Sequence, residues 1–95
     1  MTYGTDYASY NAYTWTNNTG RNITFDYYFC GGWNNTVWED VYVWLYIDDP
    51  SGSRTQIAYA LNNSITGTVT CKAGQTIRLR VEDNALCTAA TFTEQ

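Results

Sequence analysis

A chain of 95 residues has room for one hydrophobic core and not for two. Aromatic residues make up 17% of it and charged residues only 15%, with nine Tyr and four Trp beside a single Pro. That vocabulary favours strands and turns over helix. The formal net charge of -4 excludes the diffuse positive field that non-specific nucleic-acid binding needs. No run of about 18 apolar residues is present to span a membrane, and the opening residues Met1, Thr2, Tyr3 and Gly4 have neither the basic nor the apolar character of a secretion signal.

In chain order, residues 1–13 alternate Tyr with small and polar residues and offer little to seed a core. They are expected to form a Tyr-rich arm, and Tyr3, Tyr7, Tyr10 and Tyr13 give it enough contact surface to dock on a neighbouring subunit. The sandwich domain is expected over residues 14–95. Asn17, Asn18, Thr19 and Gly20 are a turn signal between Tyr13-Thr14-Trp15-Thr16 and the alternating run that starts at Arg21, which reads as a hairpin. In that run Ile23, Phe25, Tyr27 and Phe29 share one face and should meet the core. Asn22, Thr24, Asp26 and Tyr28 share the other.

After a loop at residues 30–36, residues 37–47 form the strongest predicted strand. Val41, Val43, Leu45 and Ile47 give it an aliphatic face, while Trp38, Tyr42, Trp44 and Tyr46 give it an aromatic one. The turn chemistry of residues 48–53 closes it. Ile57, Tyr59 and Leu61 are in phase in the next strand, and Ile65, Gly67, Val69 and Cys71 lie opposite Thr66, Thr68 and Thr70 in the one after. Ile77, Leu79 and Val81 alternate with Arg78, Arg80 and Glu82, the clearest separation of buried from wetted positions in the chain. A last strand falls within residues 86–93. About seven strands with turn signals at roughly ten-residue spacing predict an all-β, mostly antiparallel sandwich of jelly-roll or immunoglobulin-like type.

Catalysis is argued down by what the chain lacks. There is no His, so no Ser-His-Asp or Cys-His arrangement can form within it. The carboxylate pairs Glu39-Asp40, Asp48-Asp49 and Glu82-Asp83 are adjacent residues, which face opposite ways in a strand, and at strand ends they terminate turns. Asp48 and Asp49 could offer oxygens to Ca2+, but no loop spacing for that ion is met. A non-enzymatic protein with no cofactor is expected. Cys30, Cys71 and Cys87 are odd in number and read first as small apolar residues inside strands. Four Asn-x-Ser/Thr sites, at Asn17, Asn22, Asn34 and Asn62, are what an Asn- and Thr-rich chain produces by chance.

The candidate site is therefore the aromatic face of Trp38, Tyr42, Trp44 and Tyr46, with Tyr28 of the preceding strand as a candidate extension. Large rings collected on a second face call for a cover, whether the chain itself, a symmetry copy or a sugar ring stacked on them.

Two family resemblances bear on that choice. The stretch Y-T-W-T-N-N-T-G-R-N-I-T-F at residues 13–25, with K-A-G-Q-T-I-R-L at residues 72–79, resembles small β-sandwich domains of tailed-phage virion proteins, found in tail-fibre tips and head appendages. The resemblance implies a symmetric appendage made of copies of itself, in contact with another virion protein or a host-surface glycan. It places the chain on a virion or an extracellular surface. Residues 40–52, D-V-Y-V-W-L-Y-I-D-D-P-S-G, resemble more loosely the pre-peptidase C-terminal sandwich of secreted bacterial enzymes, although Tyr42 stands at the second acidic position of that pattern. That likeness implies an accessory module of a secreted protein, and the aromatic face makes a carbohydrate-binding module an alternative beside it. A filament subunit that donates its N-terminal arm as a strand is a third alternative.

Overall fold

The structure, a computed structural model, describes residues 2–5, 13–31, 42–61, 63–81 and 90–95. Among these residues there are eight strands and no helix: β1 (Thr2–Thr5), β2 (Tyr13–Thr16), β3 (Ile23–Gly31), β4 (Tyr42–Asp48), β5 (Arg54–Leu61), β6 (Asn63–Cys71), β7 (Thr76–Val81) and β8 (Ala90–Glu94). They form two four-stranded sheets in the orders β1-β8-β3-β6 and β2-β7-β4-β5, with every pairing antiparallel. The first strand pairs with the eighth, the second with the seventh, the third with the sixth and the fourth with the fifth. Such a ribbon, folded in half and wrapped over two sheets, is a jelly roll, so the predicted all-β sandwich is the fold.

Two features of the arm and hairpin differ from expectation. Thr2–Thr5, placed in the arm, is the edge strand of the first sheet, with Tyr3 in register with Phe92. Tyr13 opens β2 in the second sheet. Tyr7 and Tyr10 lie outside the described residues. The turn after β2 is also not a hairpin turn, because β2 pairs with β7 while β3 pairs with β6 and β8. It is a corner at which the chain crosses from one sheet to the other, a distinction that local turn chemistry does not carry.

Between the sheets lies a core of Ile23, Phe25, Tyr27 and Phe29 from β3, Val43, Leu45 and Ile47 from β4, and contributions from every other strand whose side chains are described. The alternation read for β3, β4 and β7 is the one observed. Aromatic pairs join the layers: Tyr13 of the second sheet stacks on Phe92 of the first at 5.4 Å between centroids, and Trp15 meets Phe25 edge-on at 5.4 Å. Such offset and edge-to-face pairs contribute beyond the area they bury.

β5 turns its small residues inward. Ala60 is buried and Ala58 packs against the core, while Tyr59 is 53% exposed and Ile57 stands out beside it. The register explains the choice of face: Ala58 and Ala60 pair with the core-facing Leu45 and Val43. The register then shifts between Leu45 and Tyr46, so that Ile57 is passed over.

The corner between β2 and β3 is fixed by Asn17, whose exposure is only 1%. Its side-chain amide donates to the carbonyls of Arg21 and Cys71, each at 2.8 Å, and its Oδ1 accepts from the Thr19 amide and hydroxyl. Its backbone exchanges hydrogen bonds with the facing turn, from the Asn17 amide to the Gln75 carbonyl and from the Gly74 amide to the Asn17 carbonyl. Gly74 turns there with a positive φ of 87°, which a side chain would strain. A buried asparagine with both side-chain ends satisfied is stable where a partly satisfied one is costly.

Candidate functional site

The outer face of the second sheet is built by the alternation that fills the core. With Val43, Leu45 and Ile47 directed inward, Tyr42, Trp44 and Tyr46 of β4 stand outward, as the sequence predicts. Trp38 lies outside the described residues. Neighbours then follow from register: Trp44 is flanked by Tyr59 on β5 and Arg80 on β7, Tyr46 by Gln56 and Arg78, and Asp48 by Arg54 and Thr76.

The rings touch one another. Tyr42 and Trp44 are stacked nearly parallel at 5.3 Å between centroids with 11° between planes, and Tyr59 leans on Tyr42 at 5.8 Å. Arginines complete the layer. The guanidinium carbon of Arg80 lies 5.4 Å from the Trp44 ring centre and that of Arg54 lies 4.9 Å from the Tyr46 ring centre, both cation–π geometries.

Below the rings, Asp48 binds two cations. Its Oδ1 accepts from Arg54 Nε at 2.7 Å, and its Oδ2 accepts from Arg54 Nη2 at 3.2 Å and Arg78 Nε at 2.8 Å. The Arg54 hydrogen bonds hold the Asp48 carboxyl below its ordinary range against the opposing effect of partial burial, and Arg78 adds to that shift. Asp49 is committed elsewhere, its Oδ1 accepting from Gln75 Nε2 at 2.6 Å. Carboxylates engaged by two guanidiniums and an amide are poor candidates for Ca2+ ligands, and among the described residues no three Cys, Asp or Glu side chains converge as a metal site.

Tyr28 does not extend this face. β3 and β4 belong to different sheets, so the outward side of β3 points away from the outward side of β4. Tyr28 stands on the opposite surface of the sandwich, 40% exposed. Conversely, Tyr59, Arg54, Arg78 and Arg80 belong to the aromatic layer although the sequence reading left them out. The wetted phase of β7 announced the two arginines of that strand; only the pairing register puts them beside Trp44 and Tyr46. Cys71 is a buried thiol, pushed up from 9.0 to about 11 by burial, with its S–H directed to the Gln75 carbonyl at 3.4 Å. Cys87 lies outside the described residues.

No protein-family model matches the chain, and no curated protein matches it by sequence.

Proposed function

We propose that this chain is a non-enzymatic virion structural or attachment protein of a phage-like particle, which assembles with copies of itself or a neighbouring virion protein through the outer face of the second sheet. The observation that carries this reading is the continuous layer of Tyr42, Trp44 and Tyr59, set on a sheet surface with Tyr59 more than half exposed. Rings in contact on a solvent-facing sheet are apolar surface that a second protein surface can cover, and aromatic and arginine side chains are the types enriched at such interfaces.

The geometry favours protein over sugar as the cover of this face. A sugar ring stacks on the open face of an aromatic ring, but Tyr42 and Trp44 stack on each other, and Arg80 lies over Trp44. Tyr42, Trp44 and Tyr46 thus each have a ring or a guanidinium against them, a packed aromatic layer that suits contact with another side-chain layer. Two-sheet jelly rolls are also a fold shared by capsid and lectin domains, which agrees with either reading by analogy alone.

Light scattering coupled to size-exclusion chromatography tests the proposal. The wild-type chain is expected to form oligomers at tens of micromolar, and Tyr59→Asp, a charge placed at an exposed position, is expected to return it to monomers that keep the β-sheet circular-dichroism spectrum and unfold cooperatively. A wild-type chain that stays monomeric, alone and with particle components, overturns it.

A further inference from the structure

The opposite surface of the sandwich carries a second, chemically different feature. A shallow depression of about 410 Å³ runs along β3, where Asp26 and Tyr28 occupy successive outward positions. Register places them in two cross-strand rows, Thr93-Asp26-Thr68 and Thr91-Tyr28-Thr66, spanning β8, β3 and β6. Strand geometry sets the rows about 7 Å apart and the flanking threonines roughly 10 Å apart, dimensions on the scale of a sugar ring with its hydroxyls.

Each group in the depression has a defined state. Asp26 Oδ1 accepts from the Thr68 hydroxyl at 3.2 Å and from Gln95 Nε2 at 2.8 Å, which fixes the carboxylate, while Oδ2 accepts no hydrogen bond among the described residues. The Tyr28 ring makes no ring contact with the described residues, in contrast to the mutually stacked Tyr42 and Trp44. The four threonine hydroxyls both donate and accept. One oriented carboxylate, one exposed ring and a rim of hydroxyls match a neutral polyol, whose hydroxyls donate to the carboxylate and whose C–H face covers the ring. A metal ion needs more anionic oxygens than the single carboxylate here supplies, and an acidic ligand would be repelled by it.

We infer that this depression on the first sheet is a binding site for a neutral saccharide, with the Tyr28 ring as stacking platform and the Asp26 carboxylate as hydrogen-bond acceptor. The site is independent of the aromatic face of the second sheet. An assembled protein would keep it open while the other sheet is covered.

The experiment is retention of the full chain on an array of neutral and acidic oligosaccharides, followed by solution NMR titration with the neutral glycan retained best. Tyr28→Ala and Asp26→Asn are each expected to weaken binding by tenfold or more, whereas Tyr28→Phe keeps the ring and should stay within about threefold of wild type. Trp44→Ala, on the other sheet, should leave glycan binding unchanged. Asp26→Asn preserves an oxygen for Thr68 and Gln95, and Tyr28 is exposed, so loss of fold does not confound the result; unchanged amide spectra confirm that. Retention of no neutral glycan, retention of acidic glycans only, or loss of binding in Trp44→Ala with none in the Tyr28 and Asp26 variants each overturns the inference. The oligomer measurement on Tyr59→Asp is unaffected by any of these outcomes.

Discussion

Asn17 and Cys71, 54 residues apart, are joined by a 2.8 Å hydrogen bond from the side-chain amide of the first to the backbone carbonyl of the second. The bond ties the corner after β2 to the turn after β6. The two stretches form one structural unit: Asn22 Oδ1 also accepts from the Ala73 amide across the same junction. The Asn-Thr-Gly and Ala-Gly-Gln spellings are therefore choices made by the corner, where one stretch satisfies the backbone of the other.

Asn17→Ala removes a donor from two carbonyls and an acceptor from Thr19 in a buried place. It should destabilise the fold by about 2–4 kcal/mol, read from the midpoint of denaturant unfolding. A loss below about 0.5 kcal/mol would show that the corner holds without it. For the same reason Asn17 in the folded protein has no amide nitrogen to offer a glycan, although it begins an Asn-x-Thr site.

Gly67 of β6 is paired with Tyr27 of β3, and a β-carbon there would collide with the Tyr27 hydroxyl and the ring end that bears it. Gly67→Ala should cost about 1–3 kcal/mol through overpacking. Tyr27→Phe in the same chain removes the closest atom and should recover part of that loss; equal melting temperatures for the single and double variants would contradict the packing account.

Cys71 supplies a dependence on alkaline pH. Its thiol is pushed from 9.0 to about 11 in the folded state, so the unfolded chain releases the proton first as pH rises. Stability is full below pH 9, falls between about 9 and 11, and levels off above that. Cys71→Ala should flatten this slope while lowering stability at neutral pH by about 1 kcal/mol for the lost sulfur packing. At pH 7 the buried thiol should also resist alkylation until the protein is unfolded.

Asp48 acts at the other end of the scale. Its carboxyl is held below 3.8 by Arg54 and Arg78, so the ion pairs contribute fully at neutral pH and are lost as pH falls below about 4 through the lowered folded value. Both arginine partners remain partly exposed, so solvent screening limits the contribution to about 1 kcal/mol or less. Asp48→Asn should remove this acid dependence and be nearly silent in 1 M salt.

Much of this architecture is legible in the sequence because a strand declares its own two faces. Ile23 to Phe29 and Ile77 to Leu79 alternate with polar partners, and their inward set is the core. What a strand does not declare is which sheet it joins. Tyr28 and Trp44 both read as outward aromatics on strands close in sequence, yet the crossing between β3 and β4 sends them to opposite surfaces. In β5 the phase of Ile57, Tyr59 and Leu61 is plain, but which face they take is not. Its larger residues, Ile57 and Tyr59, lie outside because the register sets Ala58 and Ala60 beside the core-facing Leu45 and Val43, and such pairing is a relation between distant residues rather than a property of either strand. That Tyr59 and Arg80 flank Trp44 is likewise a matter of register, which no single strand spells out.

The nesting of the strand pairs also sets an order of assembly. The β4 and β5 pair closes over the short turn at residues 49–53, whereas β1 must find β8 across nearly the whole chain, from Thr2 to Thr93. Closing a loop costs more the longer it is, but each inner pair, once formed, shortens the loop the next one must close. Folding is thus expected to zip outward from β4 and β5, slowly for a domain of this size because so many contacts are distant in sequence. By the same logic β1, last to join and held on one side only, is the strand that can peel away without undoing any other, and its amides should exchange with solvent first.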